Sequence, residues 1–465
     1  MTKNKKFDII YIEKGVKQME FPGSLHNHTD YSNLRLRDSI NRIDELIDYA
    51  IELGHEVIAF TEHESISNAI KIEKYYKKIK ENHPNFKVIL GNEIYLCRND
   101  LSSENFIKGQ DAFYHFILLA KDAIGHQQIR ELSTRAWMRS WIGAGDMRRV
   151  PTYYRDLEEI IGKNPGHVIG STACLGGFLD TQLVKLQENY SENLEKIIKA
   201  WLKKMINLFG KDNFFLEMQP SATQEQLIAN KGIYKLSKEL NIPFIITLDS
   251  HYCKKEDASI HKTYLNAQDG DREVDSFYAT TYMMNTQELE SYMDNFSKEV
   301  FNEAYQNILN IKNSCVDYSL LKPLNIPSLQ WREPKTQNVS QEWINRIPYL
   351  EYFLQSPFKG DNILAKLIVD KLKSDERLQE LRIYDELNDN LKTTWISSEV
   401  NKTHWSAYFL NLQKIIEVCW SAGTLVGPGR GSGVGFLLLY ILDIIQINSL
   451  WEKTKTFSWR LTQGV

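Results

Sequence analysis

The sequence predicts an α/β fold: a β/α barrel over residues 20–270, then a more helical region over residues 271–465. Two observations predict the barrel. Short apolar, β-branched runs alternate with amphipathic runs from about residue 20 to 255, the pattern of parallel β/α units. Histidine, carboxylate and thiol side chains fall in or just after successive runs. Such groups on many different strands favour a barrel over an open sheet, because barrel sites gather at strand C-terminal ends.

Ile43 to Leu53 is amphipathic and closes at Gly54-His55. Val57 to Thr61 is a strand ending at Glu62-His63, and Ile70 to Lys80 is a helix whose lysines form a solvated face. Lys87 to Gly91 is a strand ending at Glu93, Phe113 to Ala120 is a strand carrying His115, and His167 to Gly170 leads into Cys174. Leu194 to Leu208 is a helix, Phe214 to Met218 a strand and Tyr234 to Leu240 a helix. Phe244 to Leu248 closes on Asp249-Ser250-His251. Residues 316–345 are polar and broken by Pro323, Pro327 and Pro334, a connection between domains. Residues 350–400 show no clear period. His404 to Trp420 is an amphipathic helix, followed by a glycine loop and an apolar segment from Phe436.

Composition bounds the function. The 465 residues are 42% hydrophobic and 25% charged, enough for large cores and roughly two or three domains. Lys+Arg 56 against Asp+Glu 60 leaves a net charge of −4, so nucleic-acid contact has to come from a local patch. Cysteines 97, 174, 253, 315 and 419 show no CxxC spacing, which argues for a reducing compartment and against a disulfide scaffold. The first residues lack an apolar signal core. The longest apolar stretch, Phe436 to Ile445, is interrupted by Asp443 and too short to span a bilayer. A cytoplasmic protein without a membrane partner is expected.

The landmarks are His26-Asn27-His28, Glu62-His63, Glu93, His115, Cys174 and Asp249-Ser250-His251. Imidazole and carboxylate suit zinc, manganese or iron, and one thiolate adds a softer donor. His26 and His28 lie two apart on an extended segment, so both side chains face one way, and Asp249 and His251 repeat that geometry. Singly, each residue is more simply a satisfied polar or core group. Jointly they point to a multinuclear metal site, in which bridged ions polarise a phosphodiester and make hydroxide from water. His55, His83, His126, His167, His261 and His404 lack that placement and read as structural.

Leu25 to Ser32, Ala59 to His63, Gly91-Asn92-Glu93, Ala173 to Gly177 and Asp249 to Tyr252 resemble the motifs of the PHP domain (polymerase and histidinol phosphatase). They are most similar to its version in C-family replicative polymerases, the bacterial DNA polymerase III α subunit. The resemblance covers about residues 20–270 and implies a distorted β/α barrel with up to three divalent ions, zinc or manganese. It implies nine ligands: His26, His28, Asp38, His63, Glu93, His115, Cys174, Asp249 and His251. Asp249, His251 and His63 are the residues expected to be catalytic. Where the family has Thr-Asp-His, this chain has Thr61-Glu62-His63.

Gly427-Pro428-Gly429-Arg430-Gly431-Ser432-Gly433 offers backbone N–H groups, one hydroxyl and one guanidinium, a combination able to wrap a polyphosphate. It is not a P-loop, since no Gly-Lys-Ser/Thr follows. With Val426 before it, it resembles the C-family palm signature that contacts an incoming deoxynucleoside triphosphate, and Gly429 to Gly433 are the implied contacts. Residues 271–465 are then an α+β partial palm. The family's magnesium-binding aspartates have no counterpart before Val465, so magnesium is expected only at a polymerase site this chain lacks. The expectation is therefore a chain that alone does not synthesise DNA. A separate polypeptide would carry the rest, packing on the apolar segment Phe436 to Ile445.

Arg130, Arg135, Trp137, Arg139, Trp141, Arg148, Arg149, Tyr153, Tyr154 and Arg155 mix guanidinium with aromatic rings. A grip on single-stranded DNA and a solvated helix face account for that composition equally well. The leading function is a polymerase III α portion whose barrel is a 3′–5′ exonuclease acting on DNA, single-stranded or at a primer 3′ end. A small-molecule phosphatase of the histidinol-phosphate type and a non-catalytic barrel are the alternatives.

Overall fold

A computed structural model describes residues 19–143, 148–267 and 277–451. The chain forms two compact units, Met1–Leu321 and Lys322–Val465. In the first, seven strands β1 (Val57–Phe60), β2 (Lys87–Cys97), β3 (Tyr114–Ala120), β4 (Thr152–Tyr153), β5 (Val168–Ser171), β6 (Phe214–Met218) and β7 (Phe244–Ile246) make one sheet. Its helices are α1 (Ile43–Glu52), α2 (Ala69–Asn82), α3 (Ala123–Trp137), α4 (Tyr154–Ile160), α5 (Phe178–Glu188), α6 (Glu192–Phe209), α7 (Gln224–Leu240), α8 (Ala258–Asn266), α9 (Thr286–Ser291) and α10 (Lys298–Ser314).

The strand order is β1-β2-β3-β5-β6-β7, with β4 beside β2. The extended segment at residues 24–28 closes the curl. On one side Ala59 and Thr61 donate their N–H groups to Ser24 and Asn27 carbonyls, both at 3.0 Å; on the other His28 N–H reaches Ser250 O at 2.9 Å. Strands β1, β5, β6 and β7 are buried along their whole length, the burial their unbroken apolar runs require.

The expectation of all-parallel pairing is corrected at β3, which runs antiparallel to both β2 and β5. Residues 98–113 between β2 and β3 contain no helix, and without a crossover the chain returns antiparallel. The reversal explains why His115 sits at the start of β3 and still reaches the end of the barrel where the other landmarks lie. Glu93 is inside β2 and not beyond its end, because β2 continues to Cys97.

Helix α6 shows how the outer layer is specified. Ser191 caps its start by accepting from Leu194 N–H; Ile198, Trp201, Leu202, Met205, Leu208 and Phe209 recur on one buried face; Gly210 at φ +87° ends it. The boundary expected at residue 270 falls in residues 268–276, outside the described residues. Beyond it, Met283, Leu289, Phe301, Tyr305, Ile308 and Cys315 join the same hydrophobic core as the barrel.

The second unit contains α11 (Gln341–Arg346), α12 (Leu350–Gln355), α13 (Lys359–Ser374), α14 (Leu381–Asn401), α15 (Trp405–Ser421) and α16 (Leu437–Ile441). Among its described residues there is no strand, so the strand part of an α+β palm has no counterpart there. Phe436 to Leu439, Ile441 and Leu442 are buried in this unit's own core. The apolar segment is thus already covered within the chain and is not a face held open for a separate polypeptide. No helix among the described residues is long and apolar enough to cross a membrane.

Two buried histidines of the first unit set an acid limit. Burial lowers both His55 and His126 to about 4, and neither ring nitrogen of His126 has a hydrogen-bond partner among the described residues. The folded pKa lies below the unfolded value of about 6.5, so the unfolded chain takes up protons first. The stability these residues contribute is full above pH 6.5 and is lost as pH falls towards 4. The loss is on the order of 3 kcal/mol per residue. In chelator-treated protein the urea midpoint should fall between pH 7 and pH 4.5, and His126→Phe should flatten the fall. An equally steep fall in that variant would refute the assignment.

Candidate metal centre

Four backbone segments aim these donors. Residues 24–28, on the barrel seam, point His26 and His28 inward. Asn27, between them, donates to the carbonyls of Ser24 (2.9 Å) and Ala59 (2.8 Å) and accepts from Ser250 Oγ (3.0 Å), so the seam cannot rotate. Ala173, Glu64 and Asp249 hold left-handed φ values of +61°, +50° and +49°. The first two adjoin donors Cys174 and His63, and the third is itself a donor. Strained non-glycine backbone clustered at one place marks a site whose surroundings over-determine it.

All nine expected ligands converge. His26 Nε2 and His28 Nε2 lie 3.1 Å apart, and both approach Glu93 Oε2 (3.3 and 3.0 Å) and Asp249 Oδ1 (3.2 and 3.1 Å). His63 Nδ1 is 3.2 Å from Glu93 Oε2, and its Nε2 is 3.1 Å from Asp38 Oδ2, which His251 Nε2 approaches to 3.5 Å. His115 Nδ1 contacts Glu93 Oε1 and lies 3.4 Å from Cys174 Sγ. The donor atoms fall into three groups: His28, His63, His251; His26, His28, Glu93, Asp249; and Glu93, His115, Cys174. Within each group every pair lies within 4.8 Å. His28 and Glu93 each belong to two groups, as bridging positions do. Asp38 stands beside the first.

A further set orients these donors. Glu217, fully buried in β6, accepts from His26 Nδ1 at 2.6 Å, from Thr247 and Ser171 hydroxyls at 2.5 Å each, and from Gln219 Nε2 at 3.1 Å. Its carboxylate fixes which His26 nitrogen faces the centre. Tyr95 Oη meets His63 Nδ1 at 2.9 Å. His261, read as structural, hydrogen-bonds through Nε2 to Asp38 O (2.6 Å), and Tyr278 donates to Asp38 Oδ2 (3.3 Å). Glu62 is not among the converging donors. It accepts from Thr29 N–H and hydroxyl, Ser32 and Asn68, and reaches His28 only through Ser32, whose Oγ is 3.0 Å from His28 Nδ1. The Thr61-Glu62-His63 departure is thereby accommodated: the longer acid braces the 29–32 turn.

Sequence reasoning missed Glu217 and Tyr95. A single charge inside the apolar run Phe214-Phe215-Leu216-Glu217-Met218 was the available signal for the first. Nothing in the sequence distinguishes Tyr95 from the other tyrosines.

The electrostatics fit divalent ions. Burial lowers the His26 pKa, but the Asp249 and Glu217 carboxylates outweigh it and hold it well above 6.5. His63 is raised to about 9 in the same way, with Asp38 and Glu93 overcoming burial. Burial raises Glu93, yet His115 and His63 hold it well below the usual carboxylate range. Burial, then Asp249 and Glu93, push the Cys174 thiol well up. Asp38 Oδ1 is buried without a hydrogen-bond partner among the described residues, while Glu93 Oε1 and Asp249 Oδ1 face imidazole nitrogens of His115, His26 and His28. Carboxylate oxygens facing imidazole nitrogens are satisfied by cations, and cation binding there releases protons from His26, His63 and Cys174.

In the second unit, Gly429 to Gly433 form an exposed loop running into a turn at Gly431–Gly435, tied down by Gln446 N–H to Pro428 O at 2.8 Å. Gly429 has φ +142°, and a Cβ there would meet Val434 Cγ1 at 2.7 Å, so only glycine fits.

Residues 24–221 match the family described as "PHP domain", and residues 363–459 match "Bacterial DNA polymerase III alpha NTPase domain". The chain is 36% identical over 447 residues to "Probable DNA polymerase YorL" of Bacillus subtilis (strain 168), covering 91% of this chain and 34% of that protein. The same figures relate it to "DNA-directed DNA polymerase" of Bacillus phage SPbeta. It is 28% identical over 437 residues to "DNA polymerase III subunit alpha" of Borreliella burgdorferi, covering 92% and 33%. The chain spans about one third of the length of these curated relatives. None of these matches favours the histidinol-phosphatase alternative. The chain thus joins a stretch that matches the PHP domain to one that matches the bacterial DNA polymerase III alpha NTPase domain, and over about nine tenths of its length it is similar to DNA polymerases of the III α type.

Proposed function

We propose that the first unit is a metal-dependent phosphoesterase that removes nucleotides from DNA 3′ ends, within a replicative DNA polymerase acting in the cytoplasm. The observation that carries this reading is the convergence of three donor groups sharing His28 and Glu93, with carboxylate oxygens crowded against imidazole nitrogens between them. The nine residues would hold zinc or manganese, which supply Lewis acidity towards a phosphodiester and lower the pKa of water. Asp249, whose Oδ1 faces the imidazoles, orients the attacking water and accepts its proton. His251, 3.5 Å from Asp38, and His63 keep the remaining donors in register around the scissile phosphate. In the second unit, Gly429, Arg430, Gly431, Ser432 and Gly433 would cradle the triphosphate of a deoxynucleotide.

The test loads purified protein with zinc or manganese, measures metal by elemental analysis, and follows shortening of 5′-labelled single-stranded DNA with a chelator control. Two or three ions per chain and metal-dependent 3′ trimming are expected. Substoichiometric metal after reconstitution, or no trimming by loaded protein, would sink the reading.

A further inference from the structure

Among the described residues of the aromatic and basic stretch at 130–155, three guanidinium groups are taken up by internal contacts. Arg135 pairs with Glu131 (2.9 Å) and Glu159 (2.7 Å), Arg139 grips Asp156 through two bonds (2.6 and 2.7 Å), and Arg149 lies over the Tyr95 ring at 4.6 Å. One corner remains at the surface, where α3 ends. Met138 is 83% exposed and Trp137 38% exposed, unusual for two large apolar side chains in sequence. Trp141 packs edge to face on Trp137, centroids 5.4 Å apart, with Arg148 and Arg35 each 5.1 Å from the Trp141 ring centre. Trp137 Nε1 donates to the carbonyl of Glu64 at 2.6 Å, and Glu64 follows His63 of the metal centre. Arg35 pairs with Glu64 at 2.5 Å, three residues before Asp38. The corner is therefore anchored to the rim of the centre by two bonds.

We infer that Trp137, Met138 and Trp141 with Arg148 form a stacking platform that receives single-stranded DNA beside the metal centre. Indole faces accept any base, and a guanidinium over an indole is placed to meet the adjoining phosphate. Arg35 is held by Glu64, and the exposed Arg148 guanidinium favours a polyanion as occupant over an apolar protein surface. The inference rests on the phosphoesterase reading for its meaning, but it is measured without catalysis.

The experiment uses the full chain, stripped of metal with a chelator, and a fluorescein-labelled oligodeoxythymidylate followed by anisotropy. Trp141→Leu should weaken binding about 5- to 100-fold, the span of one stacked base. Arg148→Glu should weaken it and reduce its salt dependence. Both residues sit at or near the surface, and a thermal melt checks that each variant is folded. Unchanged affinity in both folded variants would overturn the platform. So would a wild-type chain that ignores the oligonucleotide but self-associates until Met138→Glu is introduced, since that result identifies a protein contact. Binding that depends on these residues in a chain that never trims DNA would sustain the platform and sink the proposed reaction instead.

Discussion

Asp249→Asn is expected to stop trimming of DNA 3′ ends, by at least about 100-fold, while leaving the barrel folded. The backbone argument makes this substitution clean. Asp249 sits at φ +49°, a conformation that asparagine adopts more readily than other residues, so the chain path should survive. What changes is charge. The Asp249 carboxylate lies 3.2 and 3.1 Å from the Nε2 atoms of His26 and His28; burial raises its pKa, but His26, His251 and His28 outweigh it and hold it well below the usual range. An amide there removes one negative charge from between imidazoles and one acceptor for the water proton. The measurement pairs a nuclease assay with a thermal melt and metal analysis. Full activity in the variant would mean that the chemistry lies elsewhere.

Replacing His26 and His28 together with alanine should empty the site more completely than any other histidine pair. His28 serves two of the three donor groups and His26 completes the second, whereas His63 and His251 serve only the first. Elemental analysis after reconstitution should show clearly less metal than in a His63→Ala/His251→Ala protein. A stability effect accompanies the loss. Protonated His26 is the counter-ion of Asp249 and Glu217 in the metal-free protein, both of them buried. Leaving such carboxylates unpaired costs about 3–5 kcal/mol. The melting temperature should therefore fall even with chelator present. Two or more ions still bound by the double variant would overturn the bridging role.

The residues that converge were readable in the sequence because the chemistry proposed for them is severe. Few reasons other than a metal place His26, His28, Asp249 and His251 on extended segments at the ends of apolar runs. The strand β6 and the helix α6 were readable for the usual reason of period. The antiparallel entry of β3 was not, since direction depends on whether residues 98–113 build a crossover helix, and nothing in their composition announces its absence. Residues 350–400 hid α12, α13 and α14 because these short or polar helices bury apolar side chains against each other. Leu364, Ile368, Leu387 and Leu391 make sense only once paired. The 130–155 stretch left two accounts open because pairing is not visible in sequence: Arg135 and Arg139 are spent on Glu131, Glu159 and Asp156, whereas Arg148 lies over the Trp141 ring. Charge counted along a sequence is not charge available at a surface.

The seam at residues 24–28 also dictates an order of events during synthesis. Asn27 and Ser250 are bonded across 223 positions, so the first donors to leave the ribosome wait for nearly the last. Until then His26 and His28 belong to a nascent chain that has neither its eighth and ninth donors nor the barrel wall that would hold them. Closure of so long a loop is slow compared with forming the local helices before it. Of the three donor groups, only Glu93, His115 and Cys174 need nothing beyond residue 174. The two groups that share His28 are completed only when β7 docks and the barrel shuts, so a ribosome stalled before residue 249 should display a chain with both of them unfinished.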